Sequence, residues 1–381
     1  MSHDIVIIGA GLAGGALAAA LAEQGWDVLL LERRQRPQHK VCGEFLSPEA
    51  QGTLRALGLH ATVAALDPSP MTHARLISPL GLRVRVELPG VAWGVSRLAL
   101  DAALALAAER AGARVQMGTT ATAIESGNSL QRITVRDAQG RTETVLARAI
   151  VLACGRNPLP GLRPDVGVAR ARPTFVGVKC HYSGLDLPPE VRLYLFGGGY
   201  AGLAPIEHGR ANLCMLVPRA AFSQAGASVP AMIAAAAHAN PALGEDLRGG
   251  HLLPESMVAV APVDTGQVGV PWDRFARLGD AAVMIPPLCG DGMAMALRGA
   301  EMCAPLAHDY LRGDRTLESW EAALCSAWHH EFDRPVRVGR RLQTLLGMPG
   351  LGSALLGIGA LLRPLPAWLV RATRAPQHPL T

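Results

Sequence analysis

Paired cysteines are missing from this 381-residue chain: Cys42, Cys154, Cys180, Cys214, Cys289, Cys303 and Cys325 are scattered and lack the short spacings of a zinc or iron–sulfur site. Free thiols in a reducing compartment, and no bound metal, are therefore expected. Charge is scarce as well, at 18% of residues against 49% apolar, a globular composition that excludes a disordered chain. Only Lys40 and Lys179 represent lysine. The net charge is +5, and the tail carries the excess, with seven arginines facing Glu331 and Asp333 from Glu331 onward. The body is near neutral, which speaks against a nucleic-acid-binding surface. No basic segment followed by an apolar run and a small-residue cleavage site opens the chain, so a cytoplasmic location is expected rather than export. The length predicts two cooperating domains.

Residues 4–8 form a continuous apolar run after a polar start, the pattern of a buried parallel strand. Gly9-Ala10-Gly11-Leu12-Ala13-Gly14 follows, and the Ala/Leu-rich stretch up to Gln24 predicts a helix. Gly9 makes the tight turn, Gly11 lets the backbone approach a pyrophosphate, and Gly14 lets the helix pack close to the sheet. The phosphates would rest on the free amides of the helix N-terminus. Residues 27–31 predict the second strand, which ends at Glu32. A carboxylate there accepts both hydroxyls of an unphosphorylated ribose, which favours FAD or NAD over NADPH in this unit.

Later segments decide between the two. Residues 101–109 predict a helix preceded by Val95-Ser96-Arg97-Leu98, and 115–119 a strand. A strand–turn–strand is expected over 133–145, and 149–156 reads as a further buried strand ending in a glycine. A short strand near 275 then delivers Asp280, and a loop through Pro287, Gly290, Asp291, Gly292 and Met293 opens a helix extending to Tyr310. In this second dinucleotide-contacting loop, Asp280 is placed for ribityl hydroxyls and the amides of Gly292 and Met293 for a flavin ring.

Together these segments resemble the single-FAD-domain oxidoreductase superfamily of p-hydroxybenzoate hydroxylase-like monooxygenases, flavin-dependent halogenases and geranylgeranyl reductases. Three marks carry the resemblance over residues 1–310: GAGLAG at 9–14 with Glu32, R..LD..L at Arg97, Leu98, Asp101 and Leu104, and GDAA…P..G.G at 279–292. It implies FAD as cofactor, with Gly9, Gly11, Gly14, Glu32, Arg33, Arg97, Ala121, Asp280, Pro287, Gly290, Gly292 and Met293 as contacts. Residues 40–47 are similar to the CGE.LSP loop of the geranylgeranyl-reductase-like branch, which passes near the isoalloxazine. Three departures narrow the choice. No WxWxIP element occurs, which speaks against halogenation. The Y.W.FP signature of the reductases keeps Tyr200 and Pro205 but has Gly202 and Ala204 at its other two positions. Cys154 stands where hydroxylases have the middle of an ADG or ATG triplet.

The fold class implied is α/β: a Rossmann-like FAD-binding domain from 1–66, 97–160 and 276–335, interleaved with an antiparallel-sheet substrate domain from 67–96 and 161–275. Strands are expected within 76–88, 175–181, 191–196 and 211–217, with a helix over 221–240. A C-terminal segment, 336–381, is apolar and basic. Residues 342–362 lack charge but hold several glycines, leaving an apolar lid, peripheral membrane contact through 336–374, or a packing arm as alternatives.

In such a fold the flavin does the difficult step. The leading expectation is an FAD-dependent monooxygenase that hydroxylates a hydrophobic, aromatic or polyketide-like molecule through a C4a-hydroperoxyflavin, with NAD(P)H as a transient donor. The alternative is an FAD-dependent reductase of isoprenoid-type carbon–carbon double bonds. Candidate catalytic residues are His181, as base or proton donor, Tyr200, to orient substrate, Cys42, as proton donor, and Asp291, beside the ring. A structural histidine, a core tyrosine, a buried thiol and a turn acid are the plainer accounts of the same residues; Glu44 divides in the same way.

Overall fold

The computed structural model describes residues 2–127, 129–156, 175–264, 266, 268–285, 288 and 290–347. β1 (Ser2–Ile8), α1 (Leu12–Glu23) and β2 (Val28–Glu32) form the opening βαβ unit, with Ile5 of β1 opposite Val28 of the parallel β2. α1 is apolar all round because it is buried all round, every residue from Leu12 to Ala22 being enclosed. β3 (Phe45–Leu46), α2 (Ala50–Ala56) and α3 (His60–Ala64) lead into a hairpin of β4 (Ser69–Ile77) and β5 (Arg83–Gly94). α4 (Arg97–Arg110) starts under a Ser96 cap, whose hydroxyl accepts the Ala99 amide at 3.1 Å.

β6 (Arg114–Met117), β7 (Thr120–Glu125), β8 (Gln131–Arg136) and β9 (Thr142–Leu152) follow. The end of the expected hairpin and the expected strand at 149–156 prove to be one strand, which stops at Leu152. β9 pairs antiparallel with β8 through its first half and parallel with β1 through its second. Residues 157–174, within the two segments expected to meet near 160, lie outside the described residues.

β10 (Phe175–Ser183), β11 (Glu190–Phe196), β12 (Gly199–Ile206) and β13 (Arg210–Pro218) build the second sheet. α5 (Arg219–Gln224) and α6 (Val229–Ala239) replace the single helix expected over 221–240, and α7 (Pro241–Asp246) follows. The break falls at Gly226, whose φ of +96° is left-handed. β14 (His251–Val263) has no counterpart in the sequence reading. Its Pro254 and Pro262 weigh against a strand, and its place at the sheet edge accommodates them. β15 (Trp272–Asp273), β16 (Phe275–Arg277), a single 3-10 turn at Gly279–Ala281, α8 (Gly292–Arg312) and α9 (Leu317–Gly347) close the described chain.

The first sheet runs β15-β16-β9-β1-β2-β6, with β7 and β8 joined through β9; the second runs β14-β10-β13-β12-β11-β4-β5-β3. Both inserted segments thus enter one sheet, antiparallel except where β4 and β11 pair in parallel. α9 runs unbroken across residue 336, so the expected C-terminal boundary falls inside a helix. Residues 348–381, and with them most of the lid, membrane and packing-arm alternatives, lie outside the described residues. Among the described residues no helix is long and apolar enough to cross a membrane.

Strand alternation gives the second sheet two different faces. Val176, Val178, Cys180 and Tyr182 of β10 pack with Met232, Ile233 and Ala236 of α6. The opposite face of β10 therefore carries Gly177, Lys179 and His181. A Cβ on Gly177 would lie 2.7 Å from Val41 Cγ1, so the absent side chain is what lets the loop before β3 press onto this strand.

Candidate active site

The glycine turn is built for something other than protein. A Cβ on Gly9, whose φ is +112°, would lie 2.3 Å from the Ala153 carbonyl oxygen, and one on Gly14 only 1.8 Å from that of Gly9. Both are required by packing. Gly11 differs: its Cβ would meet only Arg97 Nη2 at 3.6 Å and Lys40 Nζ at 3.9 Å, two cations facing a space beside the first amides of α1. Arg97 chelates Asp101 through Nε and Nη2 at 2.9 and 3.1 Å, and Lys40 reaches the same carboxylate at 2.7 Å. Burial disfavours the Arg97 charge, but Asp101 outweighs it and the guanidinium is held more firmly protonated than usual. Burial likewise opposes the Asp101 charge, and Arg97 and Lys40 bring its carboxyl below the usual range.

Glu32, at the end of β2, accepts the Ala10 amide at 3.1 Å and the Arg34 amide at 2.9 Å, which fixes the carboxylate beside the turn. Asp280 is solvent-accessible yet recessed. The protein crowded around it pushes its carboxyl up, against the pull of Arg97, Arg156 and Lys40. A small cleft beside it is lined by Arg277, Ile285 and Gly292 and walled by Trp328 and Phe332 of α9.

A second constellation lies where the loop before β3 meets the second sheet. Glu44 is 0% exposed and has a left-handed φ of 52°, a conformation uncommon for a residue with a Cβ. Three donors hold its carboxylate: Lys179 Nζ at 3.0 Å, the Arg97 amide at 3.0 Å and His181 Nε2 at 2.6 Å. Burial alone would push the Glu44 carboxyl up; the His181 hydrogen bond and the Lys179 charge bring it below the usual carboxylate range. Lys179, also 0% exposed, donates in addition to His39 Nδ1 at 3.0 Å. His39 and His181 stack edge to face with centroids 5.0 Å apart. His39, Glu44 and His181 have the spacing of a cation site, and the Lys179 ammonium provides the positive charge between them.

The register arranges this face as a grid. Gly177, Leu216 and Tyr200 form one row, Lys179, Cys214 and Gly202 the next, and His181, Asn212 and Ala204 the third. One corner is polar, where Asn212 Nδ2 donates to the Cys42 carbonyl at 3.0 Å. The opposite corner is apolar, with Tyr200 among Val84, Leu195 and Leu216 and against Met284 and Leu288.

A family model described as an FAD binding domain matches residues 2–174. Those residues are an FAD-binding domain, which makes the chain a flavoprotein. Menaquinone reductase of Mycobacterium tuberculosis is 29% identical over 366 residues, 91% of this flavoprotein and 85% of that protein. Digeranylgeranylglycerophospholipid reductase 2 of Methanopyrus kandleri is 28% identical over 357 residues, 88% and 84% of the two chains. The structure of Pseudomonas aeruginosa PqsL in complex with 2-aminobenzoylacetate superposes with a TM-score of 0.71 over 91% of this chain and 97% of that one, at 22% identity, a likeness of fold. The flavoprotein is an FAD-dependent oxidoreductase.

The residues present fit FAD. The space off Gly11, flanked by Arg97 and Lys40, suits a pyrophosphate, and Glu32 suits the ribose. The exposed Arg33 stands near enough to Arg156 to repel it. Gly290, with φ +72°, packs its bare Cα against Phe45 Cδ1, where a Cβ would come within 3.3 Å, so the flavin loop abuts the Cys-Gly-Glu loop directly. Two expected contacts are limited to backbone: Ala121 and Met293 are buried in the core, at 1% and 3% exposure. Pro287 lies outside the described residues.

Of the catalytic candidates, Cys42 and His181 are brought together, both around Glu44; the Glu44 amide donates to Cys42 Sγ at 3.4 Å. Burial pushes the Cys42 thiol up, against Arg97, which disfavours a thiolate. Tyr200 stands at the far corner of the grid, roughly 16 Å from His181 between Cα atoms by strand spacing and rise, too far for both to touch one reacting atom. Asp291 is the buried residue preceding α8 and accepts the Met295 amide through its carbonyl. Lys179, His39 and Asn212 were not singled out from the sequence. Lys179 had a usable signal: two residues before His181 on a strand it must share that residue's face, and a buried lysine demands an acid.

Proposed function

We propose that this flavoprotein reduces a carbon–carbon double bond of a hydrophobic, isoprenoid-type substrate, with NAD(P)H as a transient electron donor. The observation that carries this reading is the buried Glu44–His181 hydrogen bond of 2.6 Å, set between the flavin loop and the substrate sheet. Saturating an alkene requires a pair of electrons with one hydrogen and then a proton. FAD, when bound, supplies the electron pair. The chain supplies the rest: the apolar corner around Tyr200, Leu195 and Val84 accommodates the hydrocarbon, the two packed loops keep water out, and His181 delivers the proton.

Two supports place reduction ahead of the hydroxylation expected first. The Cys-Gly-Glu loop is not a surface ornament but is tied into the sheet through Glu44 and Asn212. The reductases of M. tuberculosis and M. kandleri match over nearly the whole chain, whereas the shared fold by itself serves several chemistries. Gly11, Glu32, Arg97, Asp280 and the amides at 290–293 are the proposed FAD contacts.

The test is anaerobic. The purified holoenzyme, reduced by NADH or NADPH without oxygen, is expected to saturate a polyprenyl alkene in one turnover. A product formed only with oxygen, and carrying labelled oxygen, would replace this reading with the hydroxylase.

A further inference from the structure

We propose that Lys179 is a positioning residue that sets how tightly His181 holds its proton, with His39 keeping the Lys179 ammonium in place. For the use made of the proton the proposal rests on the function proposed above; the charge arrangement rests on geometry alone. Lys179 Nζ lies 3.0 Å from Glu44 Oε1, and His181 Nε2 lies 2.6 Å from Glu44 Oε2, so lysine and histidine share the charge of one carboxylate, one on each oxygen.

With Glu44 as its sole neighbour, His181 would be held as an imidazolium by a nearby anion, a strong hold for a group that must give its proton to carbon. The second cation on the same carboxylate weakens that hold. The tautomer follows from the bonding: Nε2–H donates to Glu44, which makes Nδ1 the atom that carries the transferable proton. Among the described residues Nδ1 has no hydrogen-bond partner although the side chain is 1% exposed. In the step, the N–H bond at Nδ1 breaks as a C–H bond forms on the substrate. The electrons of that bond come from the double bond, and the imidazole is left neutral with Nε2–H still on Glu44. Water admitted on product release restores the proton at Nδ1.

A salt bridge serving stability alone does not require histidines at both ends, and an apolar pair would serve as well. His39 accepts from Lys179 at 3.0 Å and anchors the ammonium from the loop side. The groups around the cluster of His39, Glu44, Lys179 and His181 are Cys42 from the loop, Asn212 and Cys214 from β13, Glu255 and Ser256 from β14, and Arg97 from α4. Lys179 and Arg97 are the cations of this set, and of the two only Lys179 gives its side chain to Glu44.

Two readouts test the proposal in the FAD-loaded enzyme. Histidine-selective NMR of the oxidised holoenzyme, without substrate, should show the His181 titration moving to higher pH by about one unit in Lys179→Met, a tenfold tighter hold on the proton. His39→Leu should move it in the same direction by less. In anaerobic single turnover the alkaline limb of the rate profile should move up with it, while the plateau rate falls. An unmoved His181 titration in Lys179→Met overturns the proposal; should that variant fail to fold, an unmoved titration in His39→Leu does so. A shifted titration in an enzyme that saturates no alkene would leave the charge arrangement standing and remove only the proposed reaction.

Discussion

Gly11 and Gly14 are three residues apart in one motif, and the structure separates their roles sharply enough to test. A Cβ on Gly14 would sit 1.8 Å from the Gly9 carbonyl oxygen, a backbone atom that cannot swing aside. Relief requires α1 to move away from the turn by more than an ångström, at a cost of about 3 kcal/mol, the upper part of the usual overpacking range. At Gly11 the same Cβ meets only the ends of Arg97 and Lys40, at 3.6 and 3.9 Å. The Gly11 φ of −83° also suits any residue, so folding should change by less than about 1 kcal/mol. Yet this Cβ occupies the proposed pyrophosphate position, and displacing the phosphates from even one or two charged hydrogen bonds costs about 3 kcal/mol. That is roughly a hundredfold in Kd. Thermal unfolding of the flavin-free proteins, paired with FAD titration by fluorescence quenching, separates the two effects. Gly14→Ala should unfold earlier even without flavin, while Gly11→Ala should unfold with the parent and bind FAD about a hundredfold more weakly. Parental FAD affinity in Gly11→Ala would refute the assignment of the turn.

Glu44→Gln keeps the shape of the side chain but leaves Lys179 buried without its counter-ion, and should destabilise the fold by about 3–5 kcal/mol in denaturant titration. Adding Lys179→Met should recover much of that loss, a coupling read by the double-mutant cycle. His39 supplies a pH test. Burial, then Lys179 and His181, bring it from 6.5 down to about 4, so between those values the unfolded chain binds a proton that the native one refuses. Stability should therefore fall as pH drops from 6.5 toward 4, and His39→Leu should flatten that part of the curve. Gly177→Val drives a side chain into Val41; lifting the loop from β10 should expose the cluster and speed amide exchange at residues 41–44.

The parts of the fold legible in the sequence were those fixed by short-range rules. Gly9, Gly11 and Gly14 announced the turn and Glu32 the strand end, since each acts on residues within a few positions of itself, whereas α4, expected from residue 101, starts a turn earlier at Arg97 under the Ser96 cap. β14 escaped because its prolines contradict strand propensity and only its edge position permits them. The break at Gly226 escaped because alanine-rich helix propensity runs through it on both sides. Within the site, Cys42 and His181 were found separately by chemistry, but the contact of Glu44 with residues 179 and 181 spans more than 130 positions. No local pattern encodes such a contact. Tyr200 shows the converse, a residue nominated by a motif whose register then places it across the sheet from His181.

β3 has a consequence for how the molecule can work. Its two residues, Phe45 and Leu46, come from the flavin-binding block yet pair with Gly94 and Trp93 in the other sheet. The segment from Lys40 to Leu46 is therefore held by Asp101 at one end and by a foreign sheet at the other. A hinge cannot open there without tearing backbone pairing. Access for the hydrocarbon proposed as substrate has to come from another side, and the two sheets cannot be produced as separate folded pieces. The flavin of this protein should accordingly act as a reporter, its fluorescence and redox behaviour answering to substitutions on a sheet that it does not belong to.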